Sequence, residues 1–129
     1  MNKPHKNLNV WKQAVELSLL IYQVTEKFPL EERYSITNQM RRATTSIATN
    51  IAEGAARNSK REFARFLHMA QGSLSELDTQ LEIVKRLGYL REESWEILDA
   101  RMSEIDKMLT GLIRHQMALH VKGGVKSKV

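Results

Sequence analysis

Four residues with chemically useful side chains, Arg42, Ser46, Asn50 and Glu53, follow one another by steps of four, four and three, which puts them on one face of a helix. A hydroxyl, an amide and a carboxylate in a row could position a proton transfer, and a following helix could bring Glu76 or Gln80 opposite them. The set stops there. No histidine base, activated nucleophile or electrophile accompanies it, so the roles a mechanism needs are unfilled, and we expect no enzyme and no catalytic residue. Packing accounts for the same residues. Ala43, Ser46 and Ala52 are small enough to let helices approach closely, and a polar Asn50 on an apolar stripe fixes register at some cost in stability. Ser46, Asn50 and Glu53 are therefore read as register-setting polar residues.

Metal and cofactor chemistry finds still less support. Cysteine is absent, which removes thiolate sites, disulfides and thiol nucleophiles and suits a reducing compartment. The histidines are His5, His68, His115 and His120, and the close pair is five apart, off the spacing that shares a helix face. There is no Glu-x-x-His spacing of the di-iron bundles. Lys122-Gly123-Gly124 has no strand before it and matches no phosphate-binding loop. We expect no metal and no cofactor.

Charge is more informative. The chain of 129 residues carries a net charge of +5. The first eight and last eight residues hold Lys3, Lys6, Lys122, Lys126 and Lys128, and without them the body is neutral. Within that body the charges separate. Arg41, Arg42, Arg57, Lys60, Arg61 and Arg65 face only Glu53 and Glu62 between positions 41 and 65, whereas acids dominate from Arg91 to Asp106. Such segregation fits a phosphate-binding face or complementary surfaces within an oligomer. Contacts to a polyanion would be salt-dependent and tolerant of sequence. No exposed aromatic residues interleave with these bases, which favours backbone or structured-RNA contact over base stacking. The expected nucleic-acid-binding residues are Arg41, Arg42, Arg57, Lys60, Arg61 and Arg65, with Lys122, Lys126 and Lys128 of the tail.

The elements that must position these groups are helices, because apolar residues recur by threes and fours throughout. The first spans about Val10 to Phe28, with Trp11, Ala14, Ser18, Ile21, Thr25 and Phe28 on its stripe, and it ends at Phe28-Pro29. The second, about Ser35 to Glu53, carries Ile36, Met40, Ala43, Ile47, Asn50 and Gly54, with Gly54 as a left-handed stop. The third opens on a capping box, Ser59-Lys-Arg-Glu62, and closes at Gly88; the fourth opens on the acidic turn Glu92-Glu93 and runs to about His120. Short connections predict an all-α, antiparallel up-down-up-down four-helix bundle over residues 9–120. A basic segment, residues 1–8, precedes it, and residues 121–129 read as a flexible basic tail. No apolar run is long enough for a membrane span and the start lacks a signal-peptide hydrophobic region, so a cytoplasmic protein is expected.

The third helix carries a second seam: Phe66, Met69, Ser73, Glu76, Gln80, Ile83 and Leu87. A widened core face or a subunit interface would each read this way. The first helix is apolar nearly all round in its middle, at Leu17 and Leu20 among others, which favours the interface and predicts a homo-oligomer.

Several of these strings also resemble a known family. Leu8-Asn-Val-Trp11-Lys-Gln-Ala14, Phe28-Pro29 with Glu32-Arg-Tyr34, and Gln39-Met-Arg41-Arg42-Ala43 leading to Asn50-Ile51-Ala52-Glu53-Gly54 look like the four-helix bundle proteins encoded in intervening sequences of bacterial 23S rRNA genes. Phe66-Leu67, Ala70-Gln-Gly72-Ser73, Glu76-Leu77 and Leu87-Gly88-Tyr89-Leu90 extend the resemblance over all but the last ten residues. Arg41, Arg42, Asn50 and Glu53 are motif positions; Ala48 departs from the proline of many members, which bears on the curvature of the second helix. More distantly, the family is similar to the accessory variability determinant of diversity-generating retroelements. That similarity implies a homopentameric barrel with no assigned enzymatic activity, a basic surface that engages RNA, and a reverse transcriptase as a partner; an oligomeric scaffold that docks a protein without touching nucleic acid is the alternative.

Overall fold

The computed structural model describes the backbone of residues 1–127 and the side chains of residues 1–123. A 3-10 turn, Pro4–Asn7, leads into α1 (Asn9–Thr25); a second 3-10 turn, Leu30–Glu32, leads into α2 (Ile36–Ala55), and α3 (Lys60–Arg86) and α4 (Glu92–Ser127) follow. There is no strand among the described residues. The helices share one core, built by Val10, Ala14, Leu17 and Ile21 of α1, Met40, Ala43, Ile47 and Ile51 of α2, Ala64 to Val84 of α3 and Leu98 to Ile113 of α4. Each of these sets steps by threes and fours, so burying one stripe per helix is what gathers the four elements.

Neighbouring helices are matched at specific heights. Ser18 and Thr44 share a hydroxyl hydrogen bond at 3.1 Å between α1 and α2. Ser73 and Ser46 do the same at 3.0 Å between α3 and α2, while farther along α2 Gly54 lies against Phe63 and Phe66. Between α3 and α4, Gln71 donates to Asp106 and Thr110, and Lys85 pairs with Glu92. The Phe28 and Tyr89 rings, 5.6 Å apart, join the turn after α1 to the turn after α3.

Local chemistry sets the helix ends. Ser59 caps α3, its hydroxyl accepting from the Glu62 N–H, and Gly88, at φ +82°, stops it in a conformation that glycine adopts without Cβ strain. Several expectations are corrected. The stripe of α1 passes through Leu17, which is fully buried in this chain's own core and so cannot lie on a subunit surface; Ser18 stands beside it, half-buried. In α2 it is Ile51 that is buried, with Asn50 half-buried on the flank. Gly54 is no left-handed stop. It is helical, and an added Cβ would fall 2.7 Å from the Phe66 Cβ and 2.9 Å from a Phe63 ring carbon, so its small size permits the close approach of α2 and α3. The fourth helix continues past His120 to Ser127 rather than giving way to an irregular tail at 121, as extending a formed helix needs no new nucleus.

Candidate nucleic-acid interface

The turn between α2 and α3 and the first turns of α3 gather Arg57, Lys60, Arg61 and Arg65, all exposed, within nine residues. Gly54 makes this compact: with no side chain there, α3 starts close against α2 and Phe66 is pressed down to 5% exposure. The buried ring then serves as a platform. The guanidinium carbons of Arg57 and Arg65 lie 4.8 and 4.7 Å from its centroid, so the face of the ring attracts both cations and limits where they can swing. Arg65 also donates from Nε and Nη2 to the two carboxylate oxygens of Glu62, at 2.8 and 3.1 Å. That hydrogen-bonded guanidinium holds the Glu62 carboxyl below the usual carboxylate range; desolvation opposes it, and the charges of Arg65, Arg57 and Arg61 add to it. The same pair lifts Arg65 above its ordinary value. The Glu62 carboxylate is thus turned to Arg65, and only the Ser59 half of the expected capping box is made. Among the described residues, Arg57, Lys60 and Arg61 take part in no ion pair.

The other expected bases are placed differently. Arg41 does not point freely outward: its side chain is 27% exposed and ties α2 to α1. Its Nε donates to the Thr25 hydroxyl at 2.9 Å and its Nη2 to the Tyr22 carbonyl and the Glu26 carboxylate, while the guanidinium lies 4.5 Å over the Tyr22 ring. Its guanidinium is thus engaged by a hydroxyl, a carbonyl and a carboxylate of its own chain, where an outward-pointing side chain was expected. Arg42 is exposed, roughly 20 Å along α2 from the basic turn. Lys122 is exposed on α4; the Lys126 side chain and Lys128 lie outside the described residues.

The polar ridge of α2 does not converge on a reacting centre. Asn50 donates back to the Ser46 carbonyl and hydroxyl, Ser46 reaches Ser73, and Glu53 is exposed toward the other flank of α2. Of the expected interface residues, Leu17 belongs to the core, and Phe66 and Gln80 are likewise buried within the chain, at 5% and 6% exposure. Leu20 packs half-buried against the core, and Ser73 is half-buried. Met69, Glu76, Ile83 and Leu87 are exposed. On the opposite flank of α2, Trp11, Val15, Leu19, Tyr22, Ala48 and Ala52 line an open apolar groove of about 600 Å³. No group of three histidine or acidic residues suited to a metal ion occurs among the described residues, and no helix there is long and apolar enough to cross a membrane.

Sequence reasoning missed two participants, the Phe66 platform and the Glu62 clasp. The second had a readable signal, since Glu62 and Arg65 stand three apart on one helix.

Fold and site together define an all-helical protein of four helices on one core, with a basic turn between the second and third. Residues 6–111 match the 23S rRNA-intervening sequence protein family, and the chain belongs to that family. Its fold is similar to the crystal structure of a protein of unknown function from the S23 ribosomal protein family of Bacteroides thetaiotaomicron, with a TM-score of 0.75 and 26% identity over 81% of this chain and 95% of that one. No curated protein matches the chain.

Proposed function

We propose that this protein is a non-enzymatic, homo-oligomeric bundle of four antiparallel helices that binds structured RNA through its α2–α3 turn. The observation that carries the reading is the cluster of Arg57, Lys60 and Arg61, exposed and unpaired among the described residues, in a member of a family named for rRNA. Three cations at the α2–α3 junction suit the sugar-phosphate backbone, where charge rather than base identity decides affinity. Support for the up-down-up-down order comes from the matched pairs: Gly54 meets Phe66, and Ser46, earlier in α2, meets Ser73, later in α3. Support for self-association comes from Met69, Ile83 and Leu87 on α3 and from Leu19 and Tyr22 at the groove, large apolar side chains that stand 43–54% exposed. Light scattering at micromolar concentration should give a multiple of 14.9 kDa; a single monomeric species would remove the oligomer.

The RNA reading is tested by mobility shift with a hairpin RNA. Wild type should retain it at 50 mM salt and release it progressively toward 200 mM. Replacing Arg57, Lys60 and Arg61 together by Ala should flatten the dependence of log affinity on log salt by about 2. No retention by wild type at 50 mM salt would overturn the reading. The apolar groove favours a second reading, a scaffold that docks a protein such as a reverse transcriptase; capture of such a partner that survives nuclease would select it.

A further inference from the structure

Two arginines share the Phe66 ring and differ in what else they touch. Arg57 lies over it with no ion pair among the described residues, so its in-plane N–H donors are open to a ligand. Arg65 lies over the same ring, but its Nε and Nη2 are closed on Glu62 and its Nη1 stands 3.8 Å from the Met69 sulfur. The edge that Glu62 occupies is one a phosphate would use, because carboxylate and phosphate both meet guanidinium through two parallel N–H bonds.

We propose that Glu62 is an internal competitor for phosphate, holding the Arg65 fork closed so that Arg57 is the presented one of the two arginines on the Phe66 ring and Arg65 joins only when a phosphate displaces the carboxylate. The inference rests on the RNA-binding reading and specifies how that site is graded. Both partners are about half exposed, with side chains 56% and 44% accessible for Arg65 and Glu62. A clasp of that kind is weak enough for a polyanion to open. It is also local, three residues apart on one helix, so it re-forms as soon as the ligand leaves. Opening it leaves the α3 cap intact, because Ser59 accepts from the backbone N–H of Glu62 and not from its side chain. The acid therefore sets how many cations the turn offers.

The test is filter binding of one RNA hairpin to wild type, Glu62→Gln and the Glu62→Gln/Arg65→Ala double variant between 50 and 200 mM salt. Glu62→Gln should bind more tightly at 50 mM. It should also show a steeper salt dependence, by about 0.7–0.9 in log–log slope, an extra loss of about threefold across that range. In the double variant that steepening should vanish. If Glu62→Gln matches wild type, or if its gain persists without Arg65, the competitor role is overturned while RNA binding by the turn stands. If none of the three proteins retains RNA at 50 mM salt, the RNA reading and this inference fall together.

Discussion

Arg41 and Arg57 lie toward opposite ends of α2, and each guanidinium rests on an aromatic ring, 4.5 Å from the Tyr22 centroid and 4.8 Å from that of Phe66. Their situations diverge at the next contact. Arg41 finds a hydroxyl, a carbonyl and a carboxylate on and just beyond α1, and becomes a clip between two helices. Arg57 lies past the end of α2 and pairs with no acid among the described residues. A ring under a guanidinium positions it in either case; the nearby carboxylate decides whether its charge is spent on the fold or offered outward. Arg65 is intermediate, on the Phe66 ring and yet clasped by Glu62.

The most severe way to break this contrast is to remove the platform. Phe66→Ala deletes a nearly buried aromatic side chain and should cost about 3–5 kcal/mol in denaturant unfolding, while Tyr22→Ala, at a ring 43% exposed, should cost much less. Gly54→Ala acts on the same place from below. The new Cβ would collide with Phe66 and with Phe63, whose carbonyl lies 3.2 Å away. Overpacking of about 1–3 kcal/mol should outweigh the roughly 1 kcal/mol that alanine gains in helix propensity. Thermal melts should therefore show a lower midpoint for Gly54→Ala; a rise would mean that α2 and α3 are not held this close in solution.

Next come the two arginines themselves, which should fail in opposite assays. Arg41→Ala removes charge-assisted bonds from a side chain 27% exposed and should lower stability by about 1–2 kcal/mol, with RNA affinity following its usual salt dependence. Arg57→Ala should change stability by no more than about 0.5 kcal/mol and flatten the RNA salt dependence by about 0.7–0.9. Equal effects of the two substitutions in both assays would dissolve the distinction drawn between them.

How far this contrast could be read from sequence follows from what each residue needs. Helix number, the Ser59 cap and the Gly88 stop depend on near neighbours in the chain, and all three were legible. On α1 the expected positions Ala14, Ile21, Thr25 and Phe28 are buried, but Val10 and Leu17 take the places expected for Trp11 and Ser18, because Ser18 and Leu17 both fit a three-and-four pattern and only the partner helices choose Leu17 for the core. Gly54 reads as a terminator because glycine often is one; its actual role depends on Phe63 and Phe66, nine and twelve residues further on. Arg41 looks identical to Arg42 in the sequence. What separates them is the end of α1, where Thr25 and Glu26 wait at the height of Arg41. The basic turn was legible because its residues are close in sequence, and its internal grading became visible only with side-chain geometry.

The smallest expected effect concerns the acid that closes Arg65. Glu62 is held below its ordinary value of 4.5, first by the hydrogen bond from Arg65. A carboxyl depressed in the folded state stabilises the fold above its unfolded value, and that contribution disappears as pH falls through the lower, folded value. Because the pair is open to solvent the gain is slight, so it should be sought as a difference between proteins, not as an absolute change. The melting midpoint of wild type minus that of Glu62→Gln should be small and positive near neutrality and shrink toward zero below pH 4.5. RNA binding should move the other way. As Glu62 protonates it ceases to compete, and the salt dependence of wild type should approach that of Glu62→Gln, leaving Arg57, Arg61 and Arg65 all facing the ligand. A difference in melting midpoint that instead grew on acidification would show that Glu62 is stabilised in its protonated form, and the clasp would not be an ion pair at all.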